Sequence, residues 1–349
     1  MKNIGHVAGN MAVAAAVGIC CAVCHPGAAQ AAAGQATGGG TQSTVSSKQD
    51  RSAQQAAAAA AQLPGLVAYV RNGDVYTSKG ATETRLTTGG ASARPRWSPN
   101  GKQIAFLKRG QLWTMNANGT GQRRLTTRPA AGPSWSPDGK WIAFASLSCT
   151  GGPGVYQIRT DGKGAPAVLF PRDCRAEALP GETEAAKSSV QKELSTDNAV
   201  AWSPDGRQLA FRGGDCESVY DSCLSLGDVS TGGEKTVAAY GGGGVQNSGF
   251  AVVPSWRSDG AKLAFTAYQE GEVAAENKPV HLVEYDAVTG AKRTIGNAMD
   301  RELDYVDASR AVITSEKAGT SWVTVVGLAN GLRVPLKSGS QPSVQPVTR

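Results

Sequence analysis

The chain has 349 residues, 40% hydrophobic and 18% charged, with 35 Lys and Arg against 28 Asp and Glu for a net charge of +7. The basic residues are dispersed and form no basic run, which argues against nucleic-acid binding. Of the histidines, His6 and His25 fall in an N-terminal leader and only His281 lies beyond it. Multi-histidine zinc chemistry is therefore excluded, and a Ser-His-Asp triad would rest on that one side chain.

The leader covers residues 1–31. Lys2 and His6 precede an apolar stretch from Met11 to Val23, then Pro26 and the small-residue run Ala28-Ala29-Gln30-Ala31. This is the pattern of a secretory signal with an A-x-A-type cleavage site, and its apolar core is too short to span a bilayer comfortably. The expected location is extracellular or a periplasmic-type envelope. Cys20, Cys21 and Cys24 raise lipid anchoring as an option, but Ile19 before Cys20 is larger than a lipoprotein site normally takes. Residues 32–63 are rich in Ala, Gly, Gln and Ser, bury too little apolar surface to fold alone, and read as a disordered linker.

From residue 64 onward the text repeats. Trp97-Ser98-Pro99-Asn100-Gly101-Lys102-Gln103-Ile104-Ala105-Phe106 returns as Trp135-Ser136-Pro137-Asp138-Gly139-Lys140-Trp141-Ile142-Ala143-Phe144. It returns again from Trp202 through Asp205 and Gly206 to Phe211, and in worn form from Trp256 through Asp259 and Gly260 to Phe265. Self-similarity of this kind signals a repeat architecture. Pro, then Asp or Asn, then Gly is turn chemistry. In the first clear unit the turn precedes three strand-like segments, at Ile104–Phe106, Gln111–Met115 and Arg123–Thr126. With the Trp-bearing strand before the turn, each unit supplies the four antiparallel strands of a propeller blade. Trp97, Trp135, Trp202 and Trp256 then read as inter-blade packing residues.

These motifs resemble the propeller repeats of the TolB family and related WD-repeat-like proteins, and Arg94-Pro95-Arg96-Trp97 through Arg124-Leu125-Thr126 matches almost throughout. The resemblance covers about residues 64 to 346 and implies an all-β, six-bladed propeller over 64–349. No room exists ahead of it for the α/β domain that TolB carries, so TolB's role in the envelope does not transfer. Leu66 to Thr88 supplies three strands of a first blade without its opening strand. Gln341-Pro342-Ser343-Val344-Gln345-Pro346 aligns with Gly132-Pro133-Ser134-Trp135-Ser136-Pro137 and is expected to provide it, so that the C-terminal strand closes the ring. Residues 305 to 336 are expected to form a degenerate sixth blade, with Val306 to Thr314 in place of the tetrad and second strand.

Past the leader four cysteines remain, and an even number in an exported chain suggests disulfides Cys149–Cys174 and Cys216–Cys223. The wide spacing from Trp135 to Trp202 places an insertion over 171–198, with a short helix expected in Glu182 to Leu194. This insertion, both disulfides, the glycine-rich 240–249 loop and the 269–278 loop share one rim around the third to fifth blades, opposite the Ser-Pro-Asp-Gly turns. Long loops on a rigid scaffold are where binding usually resides. The expected binding residues are Arg172, Asp173, Arg175, Asp215, Glu217, Tyr220, Asp221, Tyr240, Asn247, Glu270, Glu272 and Glu276. An acidic rim on a basic body favours cationic or polar partners there.

No catalytic set is expected: Gly-x-Ser-x-Gly is absent, and Gly241–Gly244 lacks the context of a phosphate loop. No cofactor or metal is expected either. Calcium occupies the axial channel of related propellers, but no Asp-x-Asp loop argues for it here. The reading is an exported, non-catalytic, monomeric scaffold with no integral membrane span in its mature form, binding a protein, peptide or glycan at the decorated rim. The competing reading is a carbohydrate-active or other propeller enzyme, a lyase or hydrolase using acidic rim residues.

Overall fold

The repeated tetrad folds the same way wherever it is intact. Ser98 Oγ donates to Asn100 Oδ1 (2.8 Å) and accepts from Gln103 N (2.9 Å), while Lys102 N donates to Asn100 Oδ1 (3.0 Å). Ser136 with Asp138, and Ser203 with Asp205, make the same bonds. Each carboxylate or amide thus fixes a turn whose Gly takes the left-handed conformation, as at Gly101 (φ 65), Gly139 (φ 69) and Gly206 (φ 72). In the worn copy Arg257 replaces Ser, and Asp259 still accepts from Ala261 N (2.9 Å).

The structure, a computed structural model, describes residues 62–149, 151–171, 190–218, 220, 222–241, 249–271 and 273–347. Among them are six four-stranded antiparallel sheets. Blade one contains β1 (Val67–Arg71), β2 (Asp74–Lys79) and β3 (Thr82–Arg85). Blade two is β4 (Ser92–Trp97), β5 (Gln103–Lys108), β6 (Gln111–Asn116) and β7 (Arg123–Pro129). Blade three is β8 (Ala131–Trp135), β9 (Trp141–Leu147), β10 (Pro153–Arg159) and β11 (Ala167–Phe170). A helix α1 (Val190–Ser195) precedes blade four, which is β12 (Ala201–Trp202), β13 (Gln208–Arg212), β14 (Ser222–Asp228) and β15 (Glu234–Tyr240). Blade five is β16 (Gly249–Trp256), β17 (Lys262–Gln269), β18 (Lys278–Asp286) and β19 (Lys292–Ile295). Blade six is β20 (Arg301–Tyr305), β21 (Arg310–Lys317), β22 (Thr320–Gly327) and β23 (Arg333–Ser338), and β24 (Ser340–Val344) is the last strand. The chain is a six-bladed β-propeller.

The C-terminal strand closes the ring as the tail alignment implies. β24 pairs with β1 in the register Val67↔Val344 and Ala68↔Ser343, giving the sheet order β24-β1-β2-β3. Gln345 extends the latch: its amide N donates to Leu66 O (2.8 Å), its Oε1 accepts from Leu66 N (3.0 Å), and its Nε2 donates to Gly101 O (2.8 Å) in the neighbouring blade.

Between successive blades lies an apolar cluster, and each contains the residue at the tetrad's Trp position. Trp97 packs with Val75, Ile104 and Phe106, Trp135 with Leu112, Leu125 and Phe144, and Trp202 with Phe170 and Phe211. Trp256 packs with Leu226 and Phe265. The indoles are therefore wedges between sheets. Tyr305 takes the same place between blades five and six, packed with Leu282 and Ile313, and Val344 between six and one, packed with Tyr69 and Val312. The sixth blade consequently begins at Arg301, ahead of the sequence-based boundary at 305. Val306 to Arg310 is its turn, with Asp307 Oδ1 accepting from Ser309 N (2.9 Å) and Arg310 N (2.9 Å).

The innermost strands carry a shared irregularity. Their register shifts between Ala93 and Arg96, Ala131 and Ser134, Val252 and Ser255, and Arg301 and Asp304. At the matching position Arg94 (φ 49), Val253 (φ 53), Glu302 (φ 58) and, on β24, whose register shifts opposite Ala68 and Val70, Gln341 (φ 59) adopt the left-handed conformation, whereas Gly132 of β8 does not. A non-glycine residue held there costs about 1 kcal/mol or more and marks a β-bulge that re-aims side chains. Three of the four carry polar side chains into the channel mouth.

Candidate functional site

In each antiparallel blade the second-to-third-strand loops and the links to the next blade fall at one end. Among the described residues, the second-to-third-strand loops of blades four and five lie at that end. On the blade-four loop, Asp215 opens a single 3-10 turn (Asp215–Ser218) that also holds Glu217, and Asp215 N donates to Glu234 Oε2 (2.9 Å). Cys216 and Cys223 form the expected disulfide, closing a loop seven residues in separation. Tyr220, inside that loop, is 42% exposed. On the blade-five loop, Glu270 and Glu276 are exposed and flank Val273, which is 56% exposed. Cys149 is disulfide-bonded, whereas Cys174 lies outside the described residues. So do Arg172, Asp173, Arg175, Asp221, Asn247 and Glu272, as does the 182–189 part of the expected helix.

Tyr240 sits apart from the exposed group. It ends β15 half-buried and lines a cavity of about 320 Å³ between blades four and five with His281, Lys278, Lys292 and Arg293. Burial pushes its hydroxyl up to about 12. His281 is 9% exposed, with Nδ1 2.7 Å from Pro279 O, a buried side chain tied to its own strand. Among the described residues no group of three or more His, Cys, Asp or Glu is placed to hold a metal, and no helix is long and apolar enough to cross a membrane.

Exchanging both Cys216 and Cys223 for Ala is expected to lower unfolding free energy by roughly 2 kcal/mol, because a short loop loses its cross-link. Urea unfolding of the double variant against the parent checks this.

The channel mouth at the same end holds a polar cluster that sequence reasoning did not single out. Arg94 Nη1 pairs with Glu302 Oε1 at 2.6 Å, and Arg94 Nη2 pairs with Asp197, just before blade four. The second pair is an ionic contact without hydrogen-bond alignment, since Nη2 lacks a hydrogen-bond partner among the described residues. Glu302 Oε2 accepts from Thr314 Oγ1 (2.6 Å) and Gln341 N (2.9 Å), and Gln341 Oε1 accepts from Arg94 N (2.7 Å). Blades one, two and six and the link into blade four therefore meet in one buried network. Burial alone would raise the Glu302 carboxyl, but Arg94 and Arg301, with bonds from Thr314 and Gln341, hold it down at about 2. Two residues along β20, Asp304 faces the channel partly exposed and accepts from Val344 N (2.7 Å) and Ser255 Oγ (3.0 Å). Desolvation inside the channel raises its carboxyl, with Arg96 only partly offsetting this.

No family model and no curated protein matches the chain. Among solved structures it is similar to TolB from Acinetobacter baumannii, at 16% identity and a TM-score of 0.62 over 82% of this chain and 68% of that one. A putative TolB from Agrobacterium tumefaciens aligns at 15% identity and a TM-score of 0.55, covering 80% of this chain and 91% of that one. A chain solved in the nidogen/laminin complex aligns at 8% identity and a TM-score of 0.51, covering 80% and 98%. At these identities the likeness is one of fold: this chain has a TolB-type propeller.

Proposed function

We propose that the protein is an exported, non-catalytic scaffold that captures a segment of another protein on the loops of blades four and five. The observation that carries this reading is the pair of exposed apolar side chains, Tyr220 and Val273, on adjacent loops of that rim. An amphipathic Tyr at the centre of a contact is a frequent anchor. Asp215, Glu270 and Glu276 stand on the same two loops, and their negative charge favours a partner segment carrying Lys or Arg. The Cys216–Cys223 bond holds the Tyr220 loop in shape, reducing the ordering cost of association. The leader and the disulfide together support a site of action outside the cytoplasm.

The experiment is capture from the extracellular fraction on immobilised protein. The parent is expected to retain a protein that Tyr220→Ala/Val273→Ser retains about tenfold less well, in line with the loss of an aromatic anchor. Equal retention by parent and double variant would remove the rim from the account.

A further inference from the structure

A second cavity opens at the channel mouth on the opposite side of the ring from the Tyr220 loop. It measures about 560 Å³ and lies between the β1–β2 loop and the β21–β22 loop, over the first residues of β24 and β4. Glu193 of α1 bounds one side, Gln341 the floor, and Ser92, Thr320 and Ser321 supply hydroxyls. Glu193 is exposed to this space, and the one bond its carboxylate makes among the described residues is from Gln341 Nε2, at 3.5 Å. The chain places no cation within ion-pair distance of it among those residues.

Among the described residues the charges behind Glu193 are already committed. Arg94 is already shared by Asp197 and Glu302, and Arg301 faces Glu316 at 3.5 Å. Arg71, which also lines the cavity, is taken by Glu83 and lies 4.3 Å over the Tyr76 ring. Among the described residues these carboxylates therefore outnumber the arginines that face them, and Glu193 is the one with no cation partner. Partial desolvation against the cavity wall and the Glu302 carboxylate both raise its proton affinity, as expected where a countercharge is missing. Independently, Ser92 is only 3% exposed and its hydroxyl has no partner among the described residues. A buried hydroxyl left unpaired beside a cavity costs free energy that a ligand would recover.

We propose that this cavity binds a small polar molecule through a primary ammonium group, which donates to Glu193 and Gln341 while the rest of the ligand meets the Ser92, Thr320 and Ser321 hydroxyls. The ammonium can come from an amino sugar or from an aliphatic amine. Both supply the missing positive charge, and they differ in whether the hydroxyl wall is used.

Calorimetric titration of the full chain at pH 7 with glucosamine, cadaverine and N-acetylglucosamine tests this. Saturable binding of glucosamine alone identifies a hydroxylated amine, and comparable binding of cadaverine identifies the ammonium as sufficient. Glu193→Gln, at an exposed position, should keep the parent's melting temperature and bind the ammonium probe about tenfold or more weakly, the worth of one charge-assisted hydrogen bond. Ser92→Ala should weaken glucosamine more than cadaverine. N-acetylglucosamine binding as tightly as glucosamine, Glu193→Gln binding as tightly as the parent, or no saturation by either amine at about 10 mM would overturn the proposal.

Discussion

Deleting residues 340–349 is expected to lower the melting temperature by about 10 °C or more, or to leave a chain that no longer unfolds cooperatively. The size follows from what β24 does. It supplies the inner edge of blade one and the Val344 packing between blades six and one. Its backbone also donates to two carboxylates, from Gln341 N to Glu302 and from Val344 N to Asp304. Removal exposes the edge of β1 and strips donors from two acidic groups set in low-polarity surroundings, and breaking such networks costs several kcal/mol. Differential scanning calorimetry of the truncated and full chains decides the matter, and coincident transitions would remove β24 from the stability account.

Glu302→Gln and Asp304→Asn, two residues apart on one strand, are expected to act in opposite ways. Glu302 is 4% exposed and neutralises a buried guanidinium. Its amide variant leaves Arg94 with Asp197 alone, and at pH 7 the expected loss is about 3–5 kcal/mol. Its folded value of about 2 lies below the ordinary 4.5. Its contribution is therefore complete above the ordinary value and is lost as pH falls from 4.5 through about 2. The gap between parent and Glu302→Gln should close over that window.

Asp304 is shifted the other way. Its contribution is present below the ordinary carboxylate value and lost as pH rises through the raised one, so at neutral pH its charge is a cost. An Asn can accept from Val344 N and donate to Ser255 Oγ, keeping both contacts of the acid. Asp304→Asn is thus expected to lie within about 1 kcal/mol of the parent at pH 7, or above it. Urea unfolding across pH 2–7 measures both variants, and a large loss for Asp304→Asn at neutral pH would refute the assignment.

The ring was readable because its turns are encoded locally. Ser98 with Asn100, or Ser136 with Asp138, needs nothing from the rest of the molecule to close, so identical letters meant identical geometry. The C-terminal closure was readable for a related reason, since Pro342-Ser343 repeats Pro133-Ser134. Tyr305 was missed as a wedge because an aromatic of different size replaces the indole and no Ser-Pro follows it. The channel-mouth network was harder to see. Arg94, Glu302 and Gln341 share a strand position with Val253, and only the ring brings Arg94 and Glu302, 208 residues apart, into contact. A charge at a position that is apolar in another blade was the available signal. Glu193 had none, because its insertion has no counterpart in the other repeats.

Blades two to six each form from neighbouring hairpins, but blade one needs partners 279 residues apart, Leu66 and Gln345. Bringing such distant ends together costs roughly 5 kcal/mol in chain entropy by the logarithmic rule, before any contact repays it. That step comes late on a folding route dominated by local pairing, and it is the one of highest contact order. A nascent or refolding chain therefore passes through an open arc with both terminal sheets unpaired, a species prone to join its neighbour's edge instead of its own.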